Sequence, residues 1–166
     1  MELRFWYSVY GVTGDAPSPS VMSASFRPPI EGLVHKFEPD NEQWRSGHFR
    51  LSGSADPAIL VQRKQSGDDG FLAEFEQAED YLREVLHEPN GDLVISHICR
   101  AQQIIHLVPC PGIKLDPITL ATMCEQLCGI LARTSDGLIQ VYQEGFFDSR
   151  GESLLPDRPG YRLNTI

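Results

Sequence analysis

The chain has 166 residues, 41% of them hydrophobic and 22% charged, with 23 acidic against 14 basic side chains and a formal net charge of −9. That is globular composition at the length of one domain, enough to bury a sizeable core and too apolar for disorder. A surface this negative repels phosphate backbones and anionic lipid, so nucleic acid and membrane are disfavoured partners; a basic partner, or simple solubility, suits it.

The opening residues Met1-Glu2-Leu3-Arg4-Phe5-Trp6-Tyr7 put an acid where a signal peptide carries bases. Apolar runs fall far short of the ~20 residues that cross a bilayer, so a soluble cytoplasmic protein is expected. Glu2 to Val12 is rich in β-branched and aromatic residues and reads as a strand. Thr13 to Ser20 is a turn-rich linker, and Pro28-Pro29 marks a second break. Leu33 to Phe37 and His48 to Leu51 are expected to pair around the turn Glu38 to Glu42. Ser52 to Pro57 is the clearest internal joint. Residues 1–57 therefore read as an N-terminal β extension packed on the core.

Ala58 to Lys64 begins that core as a strand, and Phe71 to His87 follows as an amphipathic helix. Phe71, Leu72, Phe75, Ala78, Leu82, Val85 and Leu86 fall in one sector at 100° per residue. Glu88-Pro89-Asn90-Gly91-Asp92 stops it. Leu93 to Cys99 and Gln103 to Val108 read as a β-hairpin, closed by Pro109, Pro111 and Gly112. Asp116 as N-cap and Pro117 at the first helical position start the next helix. Leu120, Cys124, Leu127, Cys128 and Leu131 form its apolar stripe. The opposite face (Thr122, Glu125, Gln126, Gly129, Arg133) is weakly charged, which suggests cover by the extension or by a second copy in a homo-oligomer. Ser135-Asp136-Gly137 turns the chain into a last core strand, Leu138 to Tyr142, and 144–166 reads as a surface tail. The predicted architecture is α+β, one domain: a ferredoxin-like βαββαβ core over 58–143, with a four-stranded antiparallel sheet and two helices on one face.

Three constellations could carry function. In the hairpin, His97 is expected opposite His106, with Cys99 two residues along the same face. Two imidazoles and a thiol could bind zinc, or supply a cysteine nucleophile and its base. Leu93, Ile95, Ile104 and Val108 on that face look like core, and no fourth ligand is visible, so no metal or cofactor is expected. On the first core helix, Glu76, Asp80 and Glu84 stack at i, i+4 and i+8, flanked by Glu74, Glu79 and Glu88. They form a solvated face or an acidic ridge that docks a basic surface. The Glu84-x-x-His87 pair lies on the outer face and is discounted as a metal motif. The loop Glu144-Gly145-Phe146-Phe147-Asp148 with Arg150 places adjacent phenylalanines where a strand can turn only one inward, which leaves either an aromatic contact for a partner or a hydrophobic plug folded back on the core.

The four cysteines lack disulfide spacing; Cys124 and Cys128, four apart on a helix, lie too far apart to bridge. No P-loop, GxGxxG, HExxH, GxSxG or CxxC motif occurs. Ile59-Leu60-Val61-Gln62 and Gln103-Ile104-Ile105-His106 offer no aromatic platform for RNA, and Gln65-Ser66-Gly67-Asp68 replaces the two-cysteine loop of heavy-metal carriers. In size, charge and layout the chain resembles small acidic bacterial α+β proteins, among which toxin-neutralising immunity proteins are common. The expected function is a non-enzymatic protein-binding module for a basic partner, such as a toxin. The alternatives are an enzyme or metal-binding protein built on His97, Cys99 and His106, or a homo-oligomeric structural protein.

Overall fold

A computed structural model of the chain describes residues 7–84, 87–111, 114–142 and 144–156. Its elements are β1 (Tyr7–Gly11), α1 (Pro19–Ala24), β2 (Leu33–Glu38), β3 (Ser46–Leu51), β4 (Ile59–Gln65), α2 (Phe71–Arg83), α3 (Gly91–Cys99), β5 (Gln103–Pro109), α4 (Pro117–Ser135), β6 (Leu138–Val141), β7 (Gly145–Phe147) and β8 (Ser153–Pro156). All eight strands join one antiparallel sheet in the order β2-β3-β4-β5-β1-β6-β7-β8. The expected fold is thus right at the level of α+β, whereas a four-stranded ferredoxin-like core is not what forms. The first strand sits inside the sheet, between β5 and β6. Segment 1–57, expected as a packed extension, supplies β1, β2 and β3, and the predicted surface tail supplies β7 and β8. Residues 1–6 and 157–166 lie outside the described residues.

The sheet carries helices on both faces. Val9, Ile105, Leu107 and Ile139 point toward α4 and meet Leu120, Met123, Cys124, Leu127 and Leu131 in one core. That core continues under β2 and β3 through Phe37, Trp44 and Phe49, capped by Met22 and Phe26 from α1 and the turn after it. Gly47 is needed there, because a Cβ would lie 2.3 Å from the Phe37 ring. The alternate residues of the same strands, Tyr10, Ile104 and Leu138, point the other way. They join Phe71, Leu82, Val94 and Ile98 of α2 and α3 in a second core.

The largest departure is α3, because the predicted strand Leu93 to Cys99 is a helix. Gly91, Val94 and Ile98 are buried while Leu93 and Ser96 are exposed, a helical stripe that a short β-branched run disguises. Asn90 turns into it with a left-handed φ of 66°, and Asp92 places a carboxylate in its first turn. No slot was left for a strand beside β5, whose two edges pair with β4 and β1. Helix α2 ends at Arg83 rather than His87, with 85–86 outside the described residues. Other expectations hold: β2 pairs with β3, and Asp116 caps α4 by accepting from Thr119 N–H at 2.9 Å. No helix among the described residues is long and apolar enough to cross a membrane.

Candidate functional site

Helix α4 runs from Pro117 to Ser135, and its outer face, legible as weakly charged, does not lie flat against solvent. Thr122, Glu125, Gln126, Gly129 and Arg133 form one wall of a groove of about 610 Å³. Ser25 and Arg27 after α1 form the opposite wall, while Tyr7, Ile139, Val141 and Phe147 make the floor. Glu144, whose N–H donates to the Val141 carbonyl at 3.0 Å, stands at the Tyr7 end of the groove, and Ser149, Arg150 and Gly151, in the turn after β7, stand at the other.

The walls are pinned together. Gln126 accepts from the Arg27 backbone N–H through Oε1 at 3.1 Å and donates through Nε2 to the Arg27 carbonyl at 2.7 Å. The Arg27 guanidinium is held by the carbonyls of Ala24 (2.7 Å) and Phe26 (2.8 Å). Gly129 leaves room for Arg133 to lie back along the helix, since a Cβ there would stand 3.0 Å from its Nη1. Arg133 reaches the Ser149 carbonyl at 3.4 Å. On the floor, burial pushes the Tyr7 hydroxyl pKa up, and Cys124, Glu125, Cys128 and Glu144 push it further, so Tyr7 stays a neutral donor. Burial likewise raises the thiol pKa of Cys124 to about 12, which leaves that side chain unreactive.

The residues singled out in the sequence separate into distinct places. Glu144, Phe147 and Arg150 line the groove; Asp148 sits beside it, its Oδ2 3.9 Å from Arg150 Nε. Phe146 leaves the group, being 1% exposed in the second core against Tyr10 and Tyr81. Of the two adjacent phenylalanines, Phe146 is therefore buried, and Phe147, on the other face of the strand, is half-buried at the groove floor. Glu76, Asp80 and Glu84 are exposed on α2, across the sheet from α4. His97 and Cys99 lie on α3 and His106 on β5, so the hairpin alignment is absent. No group of three metal-ligating side chains converges among the described residues.

His106 does belong to a polar chain, one that sequence reading missed. Ser8 and His106 are direct cross-strand partners on the α2 face, with Ser8 Oγ 2.8 Å from Nδ1. On its other side His106 Nε2 meets Glu74 Oε2 at 2.5 Å, and Lys64 pairs with the second oxygen of Glu74. Glu74 stands next to the apolar stripe Phe71–Phe75–Ala78 of α2, which is the signal that could have turned it inward. The order serine, imidazole, carboxylate is that of an activated nucleophile. Here Ser8 is only 7% exposed and neither it nor His106 lines the groove, so the chain ties α2 to the sheet.

Burial alone pushes the Glu74 carboxyl pKa up, but hydrogen bonds to His106 and Lys64, together with their charge, hold it below its ordinary value of 4.5. A depressed carboxylate adds stability that is complete above the unfolded value and is lost as pH falls through the folded one. Glu74→Gln is therefore expected to cost about 1.5–3 kcal/mol at pH 7. That gap from wild type should narrow once the pH drops below 4.5. Urea melts of both proteins across pH 3 to 7 check it.

A second, shallower concavity of about 330 Å³ lies over Lys36, Ser46, His48, Leu60 and Gln62, on the part of the α2 face that the helices leave bare. Neither a protein-family model, nor a curated protein, nor a solved structure matches this chain.

Proposed function

We propose that the chain is a binding protein, not an enzyme, that docks a basic protein through the outer surface of α2. The observation that carries this reading is the row Leu72, Glu76, Asp80 and Glu84. Four-residue steps stack successive members on adjacent turns as a gently winding ridge that ends at the C-cap Glu84, and all are exposed, Leu72 by 65%. Leu93, 47% exposed on the neighbouring α3, adds a second apolar contact. An apolar anchor beside a row of carboxylates supplies a desolvated contact with a charged rim. The carboxylates would steer encounter with a positive surface, and Arg83, the one basic residue of α2, is paired with Glu79 at 3.4 Å. The overall charge of −9 points to the same partner class, of which a toxin held inactive by this chain would be a member.

Reversal of Glu76, Asp80 and Glu84 to Lys should weaken the complex by about ten- to a hundredfold, chiefly through slower association, and flatten its salt dependence. The control reverses the exposed Glu31, Glu42 and Asp56 instead, which changes net charge equally. Surface-plasmon traces at several salt concentrations compare the two. Equal loss in both variants would mean that bulk charge, not this helix, holds the partner.

A further inference from the structure

Charge in the α4 groove is sorted by position, although the molecule as a whole is acidic. Glu125 and Arg133 stand eight residues apart on α4, which places them about 12 Å apart along the helix axis. Tyr7 marks the acidic end: it pairs with Val141, whose carbonyl accepts from Glu144 N–H at 3.0 Å, and Glu125 lines the same groove from α4. Arg133 marks the basic end, against the Ser149 carbonyl in the turn that also carries Arg150. Ile139, Val141 and Phe147 leave an apolar floor between the ends. Arg27 is committed to two carbonyls at 2.7 and 2.8 Å and serves as wall, whereas Arg133 holds one longer contact of 3.4 Å with the Ser149 carbonyl and Arg150 stands 3.9 Å from the Asp148 carboxylate, with which a ligand carboxylate would compete.

We propose that this groove binds a short extended peptide by its two free ends, the α-ammonium toward Glu125 and Glu144 and the α-carboxylate toward Arg133 and Arg150. The length follows from the spacing: an extended chain advances about 3.3–3.6 Å per residue, so three or four residues reach from one charged end to the other. The volume suits such a ligand, and apolar side chains at its centre would meet the floor. Terminal charges captured at both ends select a free peptide over a segment inside a longer chain, which presents neither charge. The groove faces away from α2, so this site is separate from the docking surface proposed above.

Calorimetric titration of the full chain with Ala-Leu-Leu-Ala, its N-acetylated form and its C-amidated form tests the assignment. The free peptide should bind, and either cap should weaken binding at least about tenfold. Arg133→Ala and, separately, Arg150→Ala should weaken the free and acetylated peptides while leaving the amidated one unaffected. Glu125→Gln should do the converse, weakening the free and amidated peptides and sparing the acetylated one. The Glu76→Lys, Asp80→Lys, Glu84→Lys triple variant should bind the free peptide as wild type does. Equal affinity for all three peptides, or no heat with the free peptide up to about 10 mM, overturns the proposal.

Discussion

Phe146→Ala is expected to lower the free energy of unfolding by about 3–5 kcal/mol, the range for deleting a buried aromatic side chain. The ring is 1% exposed, with its centroid 6.3 Å from Tyr10 and 6.4 Å from Tyr81. Leu138 on β6 and Leu155 on β8 complete its surroundings, so the sheet cannot collapse around the void without moving a strand or α2. An exposed partner-binding phenylalanine would instead change stability by no more than about 0.5 kcal/mol. Urea denaturation distinguishes these outcomes, provided the slope is unchanged, which shows that the midpoint shift reports stability. Phe146→Leu should recover more than half of the loss, because it refills most of the volume. Binding of the basic partner should survive in the folded fraction, since the ring is not at the surface.

Arg63→Leu is expected to be about as damaging, at roughly 3–5 kcal/mol, because each buried acceptor left without a donor costs about 1–3 kcal/mol before relaxation and entering water recover part of it. Arg63 is 4% exposed on β4, and its guanidinium makes four hydrogen bonds. Nε donates to Gln103 Oε1 at 2.7 Å; Nη1 donates to the carbonyls of Glu42 (2.9 Å) and Trp44 (3.1 Å); Nη2 donates to Gly14 at 2.5 Å. The cation also lies 5.2 Å from the centre of the Trp44 ring. Burial and then Arg45 push its pKa down, while Asp15 and Asp68 act in the opposite sense. This one side chain ties the loop after β1, the turn before β3 and strand β5 to β4. Arg63→Lys should rescue only a small part, since a single ammonium cannot present donors in four directions. Thermal melts of the two variants, with Gln103→Ala and the double mutant to isolate the coupling, test it.

These two positions show where sequence reading stopped. Phe146 and Phe147 were legible as aromatic and adjacent, but the number of covered faces decides whether one of them is exposed. With α4 on one side and α2 and α3 on the other, strand alternation buries Phe146 in one core and sets Phe147 against the other. Arg63 reads as an ordinary strand base, and no local pattern says that carbonyls from residues 14, 42 and 44 meet around it. Segment 91–99 shows the same limit in secondary structure. Its run of β-branched residues fits a strand by composition and a helix by the spacing of Gly91, Val94 and Ile98, and the neighbours of β5 settle the matter.

Five of the groove residues of α4, Thr122, Glu125, Gln126, Gly129 and Arg133, were visible as one face from their spacing, and so was the break at Pro28-Pro29 near which the opposite wall turns. Their apposition was not. It depends on Gln126 gripping the backbone of Arg27, 99 residues away, and on β7 returning beside β6.

Local chemistry was enough to specify α4 with its Asp116 cap, the outward carboxylates of α2, the β2–β3 pair and an acidic α+β composition, because periodicity, capping and charge act over a few residues. Only the tertiary structure decided that the first strand lies inside an eight-stranded sheet, that both faces are covered, and that Ser8, Glu74 and His106 meet. Those outcomes come from antiparallel pairing between residues roughly 90 to 130 positions apart, and pairing register leaves no mark in the neighbouring sequence.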